Sequence, residues 1–379
     1  MTMSVGTSVG MSEAQLHALQ DWLQGQWPQR EQIELRDVRP PIQGFSNETW
    51  LFDIHWQEGG VAGQEAAVLR LAPEGTGLFR DYDLAVQYRC MKQLAGSDVP
   101  VPQMLGEAGV LDAAATSPLQ RPFYLMNRLP GRAPTEQPLY HLEGWLHELP
   151  AERQRAVWLN GVEMIARVNR VDWQAGGFEF LLPAGMARDA SAAQLLAGQL
   201  DQQAGFLAWA ESLAEPYPLL RTALAWLQAN QPAAGPVSVC WGDAKLGNCL
   251  FDVETDACSG VLDWESVELG NPVADLAWWL MLDRSLCDGY GLPRLAGLPS
   301  REETVAHWCA HSGHAANNLA YFEIFAAFKF ALIMARIGCL FMARGWVPQA
   351  QRMDLNNGGS AILRILAAEQ SLPFAGEGQ

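Results

Sequence analysis

Asp243, Asn248 and Asp263 are oxygen-bearing side chains set at the ends of short apolar runs, and Lys245 lies between the first two. Val237–Val239 delivers Asp243 into a tight loop, and Asn248 follows five positions later. Cys249–Phe251 leaves that loop, polar residues 252–259 turn the chain, and Gly260-Val261-Leu262 ends at Asp263. Strand, loop, strand, turn and strand in this order place the three oxygen donors at one end of a small sheet. Phosphoryl transfer from a nucleotide needs such a set. A carboxylate takes the proton of the attacking hydroxyl, while an amide oxygen and a second carboxylate hold the magnesium that bridges the phosphates. Asp and Asn are also common turn formers, so a lone Asp-x-x-x-x-Asn would be loop punctuation. Here Gly270-Asn271-Pro272 and Asp275-Leu276-Ala277 follow at agreeing spacings, which favours chemistry.

Trp241-Gly-Asp243-Ala-Lys245-Leu-Gly-Asn248 and Asp263-Trp-Glu265…Gly270-Asn-Pro272…Asp275-Leu-Ala277 resemble the motifs of the aminoglycoside-phosphotransferase-like (choline-kinase-like) small-molecule kinases, relatives of the protein kinases. The similarity runs over about residues 43–280. The Leu-Gly-Asn-x-Leu-Phe wording is nearest to the kinase-like domains associated with acyl-CoA dehydrogenases. The resemblance implies an α+β, protein-kinase-like two-lobe fold, with a β-rich N-lobe and a mainly helical C-lobe. It makes Asp243 the catalytic base and Asn248 and Asp263 the magnesium ligands, with Asp275 a buttress of the loop through backbone hydrogen bonds. Lys245 can neutralise charge that builds on the transferred group. The cofactors implied are ATP and Mg2+. Relatives carry His where this chain has Trp241, which can brace the loop by packing and through its one N–H.

The same resemblance assigns the N-terminal half. Residues 40–54 look like a hairpin whose small polar turn, Gly44, Phe45, Ser46 and Asn47, lies over the nucleotide phosphates through its N–H groups. Ala66–Leu71 is a short strand carrying Arg70 where kinases place a phosphate-binding Lys. Leu84–Leu94 reads as a helix with Gln87 in the place of the Glu that would pair with that cation, and Asp81 or Asp83 is an alternative partner. Residues 122–132 resemble the connector between lobes, with Met126 and Arg128 beside the nucleotide and Pro130-Gly131 breaking the chain. The expected organisation is a helical extension over 1–29, an N-lobe over 30–127 and a C-lobe over 128–379.

Elsewhere, Ser12 and Gln15 form a capping box for a helix over 11–26, residues 152–170 read as a long helix, and Pro272 opens another through Leu280. In relatives the 152–170 helix ends in Leu-His-x-Val-Asp; Asn169 takes the place of that His.

Composition excludes other classes. The net charge of −17 argues against a nucleic-acid partner. Seven cysteines with no Cys-x-x-Cys pair point to buried thiols in a reducing cytoplasm. No basic-then-apolar leader is visible at the N-terminus, and Lys329, Arg336 and Arg344 interrupt the apolar segment 321–346, which argues against a membrane span. His307 and His311 share a helical face, but Cys309 points away from it, so the run 307–314 reads as a partly exposed helix end. The tryptophans at helical spacing, Trp209, Trp226 and the Trp278-Trp279 pair, read as core packing.

The expected activity is ATP- and magnesium-dependent transfer of the γ-phosphate to a hydroxyl of a small molecule, either aminoglycoside-like or a hydroxy acid or hydroxyacyl thioester. Arg70, Gln87 and Trp241 motivate the alternative, a catalytically silent nucleotide-binding protein.

Overall fold

The computed structural model describes residues 10–41, 48–73, 78, 83–112, 114–374 and 376. The chain divides into two compact units, residues 1–95 with 101–129, and residues 96–100 with 130–379.

The first unit is built on an antiparallel sheet. Helix α1 (Glu13–Gln26) starts at the Ser12–Gln15 capping box. Strands β1 (Glu31–Arg39), β2 (Glu48–Glu58) and β3 (Val61–Leu71) follow, then α2 (Leu84–Leu94), β4 (Met104–Ala108) and β5 (Phe123–Asn127). Among the described residues the sheet order is β1-β2-β3-β5-β4. Alternation along β2 explains its burial: Trp50, Phe52 and Ile54 point to one face and join Leu69, Leu71, Phe123 and Leu125. Leu19 and Leu23 of α1 complete that core, so the helix is an integral layer of this unit. Gln87 of α2 is buried and its Oε1 accepts from the Tyr124 hydroxyl at 2.9 Å. Asp83 caps α2, accepting from the Val86 N–H at 3.0 Å.

The second unit is mostly helical: α3 (Trp145–Glu148), α4 (Ala151–Asn169), α5 (Ala192–Ser212), α6 (Pro218–Ala229), α7 (Val273–Cys287), α8 (Arg301–Ser312), α9 (Leu319–Ala343) and α10 (Gly358–Glu369). Between α6 and α7 lie four short strands, β6 (Ser238–Cys240), β7 (Cys249–Phe251), β8 (Cys258–Val261) and β9 (Glu268–Gly270). Strand β6 pairs with β9, and β7 pairs with β8. The single three-stranded sheet expected from the apolar runs is therefore two separate ladders. Gly242 sits at φ 84°, a left-handed turn that takes the chain out of line between β6 and β7.

Helix α7 runs seven residues beyond Leu280 because its sequence stays apolar on nearly every face, and nearly all of it is buried. Gly161 of α4 lets α7 approach: a Cβ there would lie 2.4 Å from the Trp279 ring, which meets Trp158 edge-on at 5.1 Å. Helix α9 is long and apolar enough to cross a membrane by length and composition, but 56% of its most apolar window is buried inside the protein. It packs on α7 and α10 as a core helix.

Candidate active site

Backbone pairing brings the oxygen donors together within the second unit. The chain leaves β6, turns at Gly242, and closes in a 3-10 turn over Leu246–Asn248 that leads straight into β7. The Leu262 N–H donates to the Asn248 carbonyl at 2.9 Å, so the residue before Asp263 is tied to the residue that opens β7. Asp263 takes φ 61°, a conformation Asp tolerates better than most residues and one that turns the chain sharply at the end of the strand.

Each side chain of the loop is held. The Asn248 amide donates through Nδ2 to Asp243 Oδ2 at 2.8 Å and to the Asp243 carbonyl at 3.1 Å. This fixes the orientation of the carboxamide and turns its oxygen the other way. The Trp278 indole donates to Asp243 Oδ1 at 3.0 Å. Lys245 Nζ lies 3.5 Å from Asp243 Oδ2 and 3.5 Å from Glu136 Oε1. Burial works against the Lys245 charge, but the carboxylates of Asp243, Glu136 and Asp263 outweigh it and hold the ammonium above its ordinary value. Lys245 thus lies between the carboxylates of Asp243 and Glu136.

Asp275 supports the loop from beneath. Its Oδ2 accepts from the Trp241 N–H at 2.8 Å and its Oδ1 from the Gly242 N–H at 2.8 Å. Asn169 Nδ2 donates to Asp275 Oδ2 at 2.9 Å and to the Val239 carbonyl at 3.1 Å, and the Trp308 indole donates to Asn169 Oδ1 at 3.1 Å. Burial raises the Asp275 pKa, opposed by these donors. Trp241 is fully buried and stacks near Trp264, with ring centroids 5.8 Å apart. Its indole N–H reaches the carbonyls of Leu262 at 2.9 Å and Asp263 at 3.2 Å. The Trp that replaces the family's His therefore clamps the loop to the Asp263 segment.

The N-terminal candidates belong to the first unit. Gly44, Phe45, Ser46 and Asn47 lie outside the described residues, as does Asp81. Arg70 sits on β3 opposite Thr49 and Tyr124. Met126 is buried on β5 opposite Val68. Arg128, one residue beyond β5, donates through Nη2 to Asp53 at 3.0 Å. Asp83, considered a substitute partner for Arg70, is used as the cap of α2.

Two residues escaped the sequence reading. Glu136 lies more than a hundred positions before Lys245, and no spacing rule connects them. Trp278 carried a signal: it is three residues after Asp275 on the same helix, so both project toward the same loop. Its helical spacing reads as core packing, and it is buried, but its N–H donates to the Asp243 carboxylate.

Comparison with known proteins shows the family and the fold. The sequence profile of the phosphotransferase enzyme family matches residues 37–308. The chain belongs to that family. A mouse (Mus musculus) relative, acyl-CoA dehydrogenase family member 10, is 28% identical over 277 residues, which are 70% of this chain and 24% of the relative. The chain spans about a quarter to a third of the length of the curated relatives it matches. Among solved structures, a Ralstonia eutropha protein provisionally called an aminoglycoside phosphotransferase superposes with TM-score 0.65 at 22% identity, over 96% of this chain and 98% of that one. A thermostable mutant of aminoglycoside phosphotransferase APH(4)-Ia, in complex with ADP and hygromycin B, gives TM-score 0.54 at 14% identity, over 96% of this chain and all of that one. The fold is the α+β, two-lobe kinase-like fold of these phosphotransferases.

Proposed function

We propose that the chain transfers the γ-phosphate of ATP to a hydroxyl of a small molecule, with Asp243 as base and a magnesium site on Asn248 and Asp263. The observation that carries this is the single cluster of Asp243, Lys245, Asn248 and Asp263, tied by the Leu262–Asn248 backbone bond and the Trp241 clamp. The donor set fits the metal: an amide oxygen turned away from Asp243 and a carboxylate are hard ligands of the kind magnesium takes. Bound magnesium would neutralise phosphate charge in the transfer.

Asp243 then receives the proton of the acceptor hydroxyl as its oxygen forms the new P–O bond and the nucleoside diphosphate leaves with the electrons of the broken one. Trp278 and Asn248 hold the carboxylate still by donating to its two oxygens, each of which retains a lone pair for the proton. Lys245, kept charged by its three acidic neighbours, offers a fixed cation to the transferred group. Arg70, Met126, Arg128 and the turn at 44–47 are proposed for the nucleotide.

The silent-scaffold alternative rested on Arg70, Gln87 and Trp241. Trp241 supports the loop rather than disabling it, which removes one of its motives. The acceptor is an aminoglycoside-like molecule or a hydroxy acid or its thioester; the name of the mouse relative makes the second class the first to test. A reducing cytoplasm suits the cysteines, which are all free.

The test is phosphate transfer from labelled ATP across both acceptor classes, with choline-like alcohols and sugars added. Asp243→Ala is expected to lose at least about a thousandfold in turnover while melting as the parent does, in the range general base catalysis supplies. Undiminished transfer by that variant would overturn the assignment of the base.

A further inference from the structure

We propose that Glu163 on α4 and His307 and His311 on α8 form a second metal site, one for a zinc-class transition ion. The three side chains come from two packed helices, and one ligand atom of each lies within 4.8 Å of the others. His307 and His311 are one turn apart, and their rings lie with centroids 4.0 Å apart, tilted by 31°.

The tautomers suit ligation. His311 Nδ1 is 2.8 Å from the His307 carbonyl, which can only accept, so Nδ1 carries the proton and Nε2 the lone pair. The His307 Nε2 is buried with no hydrogen-bond partner among the described residues. With nothing donating to it or accepting from it, this nitrogen can present a lone pair to an ion. His311 has the form common in ligating histidines, with one ring N–H pinned to a carbonyl and the other nitrogen free for the ion.

Glu163 supplies the charge. Arg167 forks onto Oε1 at 3.1 and 2.7 Å, so Oε2 can turn to an ion without breaking the pair. The remaining nearby cations are Arg155, which acts on His307 from a distance, and Arg170, whose guanidinium donates to the His311 carbonyl at 3.0 Å. Arg155 itself is paired with Glu303 at 2.8 Å. Two ligands on a tetrahedral ion at about 2.1 Å sit about 3.4 Å apart, so binding draws the side chains inward by about an ångström. Imidazole nitrogens exclude magnesium in favour of zinc, cobalt, nickel or copper, and water completes the coordination.

A second cluster, His141, Asp283 and Cys287, has no such capacity. His141 Nδ1 accepts from the Leu295 N–H, and Asp283 is engaged by Tyr140, His141 and Arg294.

An ion at Glu163 would clip α8 to α4 next to Trp308, whose indole leads through Asn169 to Asp275 and the catalytic loop. The experiment uses the full chain, stripped with a chelator and held in millimolar magnesium so that the oxygen-ligand site is saturated. Zinc is titrated against a chromophoric chelator, and cobalt is added for its visible absorption. The expected result is one zinc per chain and a tetrahedral cobalt spectrum. His311→Ala and Glu163→Gln should each weaken zinc by more than about 100-fold, since loss of an outer-shell partner alone costs 10–100-fold. Cys309→Ala should bind as the parent does. Melting curves without metal check that the variants fold. Equal zinc affinity in parent, His311→Ala and Glu163→Gln would overturn the site, and so would loss of binding in Cys309→Ala alone.

Discussion

Trp241→Phe tests whether the indole clamp positions Asp263. The substitution keeps an aromatic ring beside Trp264 and removes the N–H that reaches the carbonyls of Leu262 and Asp263 at 2.9 and 3.2 Å. One shared hydrogen bond contributes about 1 kcal/mol net, and the smaller ring leaves a cavity worth about another 1–2 kcal/mol, so a stability loss of about 2–3 kcal/mol is expected. The functional effect should be larger than the structural one. Asp263 follows Leu262 directly and takes a left-handed conformation that the clamp helps hold. A displacement of about 1 Å in a positioned group can reduce turnover by about 100-fold. The magnesium concentration that half-saturates nucleotide binding, read by calorimetry, should rise at least about tenfold, and denaturant titration gives the stability term. If stability falls as expected but the magnesium dependence stays at the parent value, Trp241 is packing only and the clamp argument is wrong.

Gly242→Ala would place a Cβ 1.9 Å from the Ser266 carbonyl oxygen at φ 84°, so the loop must move; soluble yield and melting temperature should drop sharply, and a parent-like melt would contradict the loop geometry. Trp278→Phe frees one oxygen of Asp243 and leaves Asn248 and Asp263 in place; on the proposed mechanism turnover should fall about tenfold with nucleotide binding unchanged, and parallel losses in both would argue against a role confined to Asp243. Burial opposes ionisation of Asp283, but His141 and Arg294 outweigh it and hold its pKa below the ordinary 3.8. Its contribution to stability is therefore complete above about pH 4 and is lost as pH falls through the lowered value. Asp283→Asn should cost about 1.5–3 kcal/mol at pH 7 by weakening the charge-assisted bonds that a partly exposed Arg294 and buried His141 make to the carboxylate, and the gap to the parent should narrow at pH 3 in denaturant titrations.

The legible part of the site was local. Asp243, Lys245 and Asn248 share one loop, and their chemistry depends on spacing over a few residues, which a sequence displays directly. The capping box at Ser12 and the helix over 84–94 were readable for the same reason. The pairing of the short strands was not. Three-residue strands carry too little pattern to name a partner, and β6 found β9 rather than β7 or β8.

By itself the sequence put Asp243, Lys245 and Asn248 into one loop between two apolar runs, with Asp263 at the end of a third. Only the tertiary structure decided what steadies them. Glu136 reaches Lys245, Trp278 reaches Asp243, and Asn169 and Trp308 reach the loop through Asp275, each from an element remote in the chain. Glu163 likewise joins a histidine pair that lacked a third ligand in its own run. The physical reason is common to all. A hydrogen bond or ion pair depends on a few ångströms in space, and helix packing sets that distance without leaving a trace in the separation along the chain.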